Sequence, residues 1–271
     1  IRSPHFSMMV KSYLADKYGE EMVNNGGLKV ITSLDWDIQQ IAEQAIATGA
    51  QKNTELYKGK NAALVAQDAK TGQILALVGS KDYFDVANDG NFNVATQGLR
   101  QPGSALKPFV YLTAFQKGYA PQSVVFDTPT NFDTTGANPY EPKNFDGLFR
   151  GPVNFRQALS QSLNVPSVKV LYLAGLNDSL KNLSKFGITT LNDPNRFGLS
   201  LVLGGGEIKL IELVNAYATL AQEGVRHSQS FILEVDDQNG KVLEKYSDIA
   251  TQVADPQETR LVTNILADAE A

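Results

Sequence analysis

Cysteine is absent from the 271 residues, which excludes thiol nucleophiles, disulfides and cysteine-ligated zinc together. Its absence suits an oxidising compartment without requiring one. Histidine is nearly absent. His5 and His227 are the only two, neither has metal-ligand spacing, and each is read as an ordinary surface or loop residue. Spacing alone does not exclude a Ser-His-Asp triad, because triads assemble from distant residues. No apolar run approaches the length of a membrane span, and no signal peptide is visible. A dense Lys/Arg stretch is also missing and the net charge is −5, which argues against a nucleic-acid partner.

What is present describes a globular chain. The hydrophobic fraction is 42% and the charged fraction 20%, with enough length for one large domain and a smaller appendage. The chain opens on Ile1 and stops within NILADAEA, part-way along a predicted helix. Both ends are expected to be cut, with any membrane anchor outside this stretch.

SPHFSMMVKSYLADKYG predicts a helix ending near Gly19, GGLKVITSL a short strand, and DWDIQQIAEQAIATGAQ a second helix capped by Asp35 or Ser33. ALVAQDAKTGQILALVGS reads as a β-hairpin around Lys70-Thr71-Gly72. SFILEVDDQNGKVLEKY repeats that turn grammar around Gln238-Asn239-Gly240. Helices are expected at about 104–117, 155–163, 166–174, 177–186 and 207–223. The Asn-, Pro- and Gly-rich stretch 127–154 is long for a loop in a compact domain, which marks it as functional or disordered. Strands, then helices, then strands predict an α+β fold, with a mainly antiparallel sheet flanked by helices.

In RQPGSALKPF, Ser104 stands three places before Lys107. Pro108 cannot lie deep in a helix, so the helix begins close to Ser104. That puts the hydroxyl at a helix N-terminus, one turn from a lysine amine. Serine attacks a carbonyl only when a neighbouring base takes its proton, and lysine is such a base only if its pKa is lowered. Taken alone, S-x-x-K equally fits a helix cap beside a solvated lysine. In FRQALSQSLNVPSVKV, Val165 precedes Pro166 and is expected to be extended. Ser162-Leu163-Asn164 then forms a corner between two helices, presenting a hydroxyl and a carboxamide together, or merely capping the junction. Leu203-Gly204-Gly205-Gly206-Glu207 lacks the Gly-Lys-Ser/Thr ending of a phosphate loop and is read as the flexible start of a helix. Tyr140 and Asn144 line a cleft on one reading and are surface loop residues on the other.

RQPGSALKPF, then Ser162-Leu163-Asn164 within ALSQSLNVPSV, then LSLVLGGGEIKLIELVNAYATLAQEG resemble the transpeptidase domain of class A penicillin-binding proteins. Flanking words such as GGLKVITSLDWDIQQ and GPVNFRQAL match as well, from about residue 4 to the end. The resemblance implies the penicillin-binding and serine β-lactamase-like transpeptidase fold, missing its C-terminal strands. It implies a linker-like segment at 1–55 and the transpeptidase domain at 56–271. It also implies catalysis by Ser104 as nucleophile, Lys107 as its base and Ser162 as proton shuttle, with Asn164 binding the donor amide and the Ser104 N–H forming half of an oxyanion hole. Implied partners are peptidoglycan stem peptides, as donor and acceptor, and β-lactam antibiotics, with no cofactor and no metal. Partner proteins of wall synthesis are compatible with it. The implied location is extracytoplasmic, with membrane attachment through an N-terminal anchor that, like a glycosyltransferase domain, lies outside this stretch.

The family's third motif, Lys-Thr-Gly on a strand after the Ser-x-Asn corner, has no match. Lys70-Thr71-Gly72 precedes Ser104 and aligns with Gln238-Asn239-Gly240, so it is read as a turn. Two rival functions therefore stand beside transpeptidation. One is hydrolysis, as a D,D-carboxypeptidase or β-lactamase. The other is a non-catalytic module that binds wall peptides or β-lactams.

Overall fold

The computed structural model describes residues 1–133 and 139–269. Residues 134–138 of the long loop and the last two residues of the expected 56–271 domain lie outside the described residues. The chain divides into two compact units. One comprises residues 1–99, 209–222 and 226–251, and the other residues 100–208, 223–225 and Gln252 onward. Among the described residues, no helix is long and apolar enough to cross a membrane.

The first unit carries the hairpins. Helix Pro4–Tyr18 ends at Gly19, whose φ of 87° is left-handed and therefore suits glycine. Helix Trp36–Tyr57 is capped by Asp35, whose side chain accepts from the N–H groups of Asp37 and Ile38, both at 3.0 Å. Strand Leu64–Gln67 pairs antiparallel with Ile74–Val78. Strand Ile232–Asp236 lies between Lys29–Thr32 and Val242–Lys245 in a three-stranded antiparallel sheet. Residues 1–55, expected as a segment preceding the catalytic domain, contribute Phe6, Val10 and Leu14 to one core with Ile74, Leu77, Ile232 and Val235. The apolar face of this first helix is thus buried against both hairpins.

The second unit is built around helix Lys107–Gln116. Every residue from Lys107 to Phe115 is buried, so the helix is apolar nearly all round and needs cover on all sides. Helices Phe155–Ser160, Asn164–Ala174, Leu176–Lys185 and Pro256–Leu266 supply that cover. Phe109 meets Phe186 edge-on at 5.4 Å, and Tyr111 meets Phe155 at 5.6 Å. Several polar groups inside pair with one another. The Tyr111 hydroxyl lies 3.2 Å from Ser167 Oγ, and Asn182 Nδ2 donates to Thr113 Oγ1 at 3.0 Å. A short hairpin, Val124–Asp127 with Gly151–Asn154, closes the base of the long loop. The α+β class with antiparallel pairing is as expected. The difference in organisation is that the sheets are small and separate among the described residues.

Candidate active site

Ser104 sits in a 3₁₀ turn, Gly103–Leu106, that runs directly into helix Lys107–Gln116, with Pro108 inside the first helical turn. Proline's missing N–H is harmless there, so the helix starts where Pro108 allows. Residues three apart eclipse in a 3₁₀ turn, which sets Ser104 and Lys107 on one side of it. The turn is held from behind by the glycine run. Arg100 and Ile208 exchange backbone hydrogen bonds at 3.0 and 2.9 Å. Gly204 lies so close to Gly103 that a Cβ there meets Gly103 N at 2.3 Å. Both glycines have left-handed φ, 59° and 88°. The glycine run is therefore a support for the Ser104 turn, and it follows a 3₁₀ stretch, Leu199–Leu203, well before the next helix at Leu210.

The Ser162-Leu163-Asn164 corner is made by a helix stop. Ser162 N–H donates to Leu159 O at 3.0 Å and Leu163 N–H to Ala158 O at 2.9 Å, the two bonds of a Schellman motif. This motif places Ser162 in the left-handed position, with φ of 53°, where glycine is the usual residue. A serine there carries strain of about 1 kcal/mol that a glycine avoids, and such outliers gather at functional sites. Leu163 is extended and starts helix Asn164–Ala174. Val165, expected to be extended ahead of Pro166, is instead helical. Its N–H and that of Asn164 both find an acceptor in Asn144 Oδ1, at 3.3 and 2.8 Å, which offsets the unfavourable geometry before proline.

Lys107 joins the two segments. Its side chain is 1% exposed, and Nζ donates to Ser162 O at 2.6 Å, Ser162 Oγ at 3.1 Å and Asn164 Oδ1 at 2.9 Å. An ammonium has three donors, and all three are matched. Burial nevertheless lowers the pKa from 10.5 to about 8, because the charged form loses its hydration. Ser104 is exposed, and its carbonyl accepts the Lys107 N–H. The structure thus brings Lys107, Ser162 and Asn164 into direct contact and places Ser104 one turn away. Such a group can hold a proton on Lys107, pass it through a hydroxyl and hold an amide.

Other candidates take different places. Lys70-Thr71-Gly72 is a tight turn in the first unit, where Gly72 has φ of 75° and a Cβ would meet Ser228 O at 2.5 Å. His5 is not a surface residue: it is 5% exposed, with Nε2 2.8 Å from Ser80 Oγ. Ser80 donates its proton to Gly90 O at 2.6 Å, so this Ser-His pair leaves no proton for the imidazole to remove. His227 pairs with Asp248 at 2.8 Å. Tyr140 packs its half-buried ring 6.0 Å from Phe132. Asn144 is not a surface residue but is 5% exposed, and Asp127, which binds it, escaped sequence reasoning. The available signal was Leu163: an apolar residue before a helix leaves the first N–H groups without a local acceptor.

A family model described as the penicillin binding protein transpeptidase domain matches residues 62–271. Penicillin-binding protein 2D of Bacillus subtilis (strain 168) is 34% identical over 259 residues, which is 94% of this chain and 36% of that protein. The chain therefore spans little more than a third of that relative's length. Among solved structures, penicillin-binding protein 1A from Haemophilus influenzae aligns with a TM-score of 0.85 at 20% identity, over 100% of this chain and 59% of that one. The PonA1 protein of Mycobacterium tuberculosis, in complex with penicillin V, aligns with a TM-score of 0.81 at 24% identity, over 97% of this chain and 69% of that one. At these identities the two structures speak for the fold.

Proposed function

The chain belongs to the penicillin binding protein transpeptidase domain family, and from that premise we propose that it is a serine D,D-transpeptidase of peptidoglycan, acylated at Ser104. The observation that carries the proposal is the buried Lys107 amine, held against Ser162 and Asn164 with its pKa lowered to about 8.

The neutral Lys107 amine takes the Ser104 proton while Ser104 Oγ attacks the penultimate D-Ala carbonyl of a stem peptide. Backbone N–H groups at the helix start, that of Ser104 among them, stabilise the oxyanion. Of the three Lys107 partners, only the Ser162 hydroxyl can both accept and donate, so the proton passes through it to the leaving amine. The C–N bond then breaks, terminal D-Ala departs and an ester forms on Ser104. An amine from a second stem peptide attacks the ester carbonyl, the C–O bond to Ser104 breaks as the new amide forms, and the proton the amine loses returns to Ser104 Oγ. Asn164 holds the donor amide through its carboxamide. β-Lactams enter as donor mimics and leave Ser104 acylated. In the whole protein the domain faces the wall on the outer side of the cytoplasmic membrane, tethered by an anchor.

Intact-mass analysis of the full-length protein with a fluorescent penicillin tests the nucleophile. One adduct per chain is expected, absent from Ser104→Ala, and labelling that survives the substitution overturns the assignment. A donor peptide offered with an amine acceptor tests the second step. Cross-linked product supports transpeptidation, and free acid alone favours the hydrolytic alternative.

A further inference from the structure

We infer that Asp127 and Asn144 are positioning residues for acyl transfer, orienting the Ser162-Leu163-Asn164 corner against Lys107. The inference rests on the acyl-transfer reading above.

Asp127 ends strand Val124–Asp127, opposite Gly151, and is 0% exposed. Its carboxylate accepts from Asn144 Nδ2 at 3.0 and 2.8 Å and from the Arg150 N–H at 3.0 Å, with the Arg150 guanidinium 4.0 Å away. A carboxylate accepts hydrogen bonds but donates none, so only the NH₂ end of the Asn144 amide can face it. The Asn144 carbonyl is thereby forced to point the other way. It meets the N–H groups of Asn164 and Val165 at 2.8 and 3.3 Å.

Those are the first two N–H groups of helix Asn164–Ala174. Leu163, at the capping position, has no side chain able to satisfy them. Asn144 thus acts as a cap supplied from twenty residues upstream. Its neighbour Lys143 takes the other end of Asn164, accepting from Asn164 Nδ2 at 2.9 Å, which turns Asn164 Oδ1 toward Lys107 Nζ. The path from the Asp127 carboxylate to the Lys107 amine therefore runs through Asn144 and Asn164.

A role confined to the loop base needs only Asn144 Nδ2 to Leu148 O at 2.8 Å and the Asp127 contact with Arg150. Neither requires the Asn144 carbonyl to reach the corner. The fixed amide orientation is what links the buried acid to the site.

Two quantities separate positioning from folding: the number of sites labelled by a fluorescent penicillin at long times, and the rate constant of labelling at saturating penicillin. A purely structural residue changes the first and leaves the second alone. In the full-length protein, Asn144→Asp sets two carboxylates face to face, and its rate constant is expected to fall about 10- to 100-fold. The reversed pair, Asp127→Asn with Asn144→Asp, restores an amide against a carboxylate and keeps an acceptor for Asn164 and Val165. It loses the donor to Leu148 O and the carboxylate 4.0 Å from the Arg150 guanidinium, both at the loop base, and should return to within about threefold of wild type. If the charged variant does not fold, Asn144→Ala is read instead, with the same fall expected. A wild-type rate constant in the single variants, or a reversed pair no faster than Asn144→Asp, overturns the inference while labelling still depends on Ser104. Labelling that survives Ser104→Ala removes the acyl-transfer reading, and this inference with it.

Discussion

On the role proposed for Lys107, acylation at Ser104 should depend steeply on pH near neutrality, because an amine accepts a proton only in its neutral form. The perturbation is pH itself, and its size follows from burial. An ordinary lysine titrates at 10.5, whereas burial holds Lys107 at about 8. At pH 7 the neutral fraction is then about one in ten, against roughly one in three thousand for an ordinary lysine. Burial therefore raises the supply of neutral amine by roughly 300-fold. In full-length protein at saturating fluorescent penicillin, the labelling rate constant should rise about tenfold per pH unit up to about pH 8 and level off above it. A second cation brought near the amine moves that midpoint down, never up. Stability follows the same shift with a definite sign. The folded-state pKa lies below the unfolded value, so the folded chain binds fewer protons between the two. This group alone makes the protein more stable as pH rises from about 8 toward 10.5. Below about pH 8 the buried ammonium costs about 3 kcal/mol relative to a solvated one. A labelling rate that still climbs toward a midpoint near 10.5, or one flat from about pH 6 to about pH 8, refutes Lys107 as the base.

Two further outcomes follow from backbone geometry. Ser162→Gly and Ser162→Ala both remove the hydroxyl and should each slow acylation by about 10²-fold or more. The glycine variant should be the more stable by about 1 kcal/mol in a thermal or urea melt, because Ser162 occupies a left-handed position; equal stability, or normal acylation in either, contradicts the reasoning. Gly204→Ala places a methyl 2.3 Å from Gly103 N at a φ of 88°. It should destabilise by about 1–3 kcal/mol and slow labelling at Ser104 by displacing its turn, which a melt and a labelling time course measure separately.

Much of the fold was legible because its signals are local. Gly19, Asp35, Gly72 and Gly240 punctuate their elements through φ preference and capping, properties that each residue carries into any context. The apolar runs on either side of each turn marked both hairpins for the same reason. Val165 misled because its preference for extended backbone was overridden by an acceptor twenty-one residues away. His5 misled because nothing in its neighbours in sequence foretells the Ser80 hydroxyl beside it.

The order of Ser104, Lys107, Ser162 and Asn164 along the chain, and the class of chemistry those residue types permit, belonged to the sequence alone. So did the helix start that Pro108 compels. Whether the Lys107 amine is solvated or buried was decided by tertiary structure, because desolvation depends on what covers the amine. Helices from distant parts of the chain supply that cover. The same holds for Asp127 and Asn144. Their side chains acquire a role only when the hairpin base and the helix corner meet, since a hydrogen bond is specified by distance and direction in space.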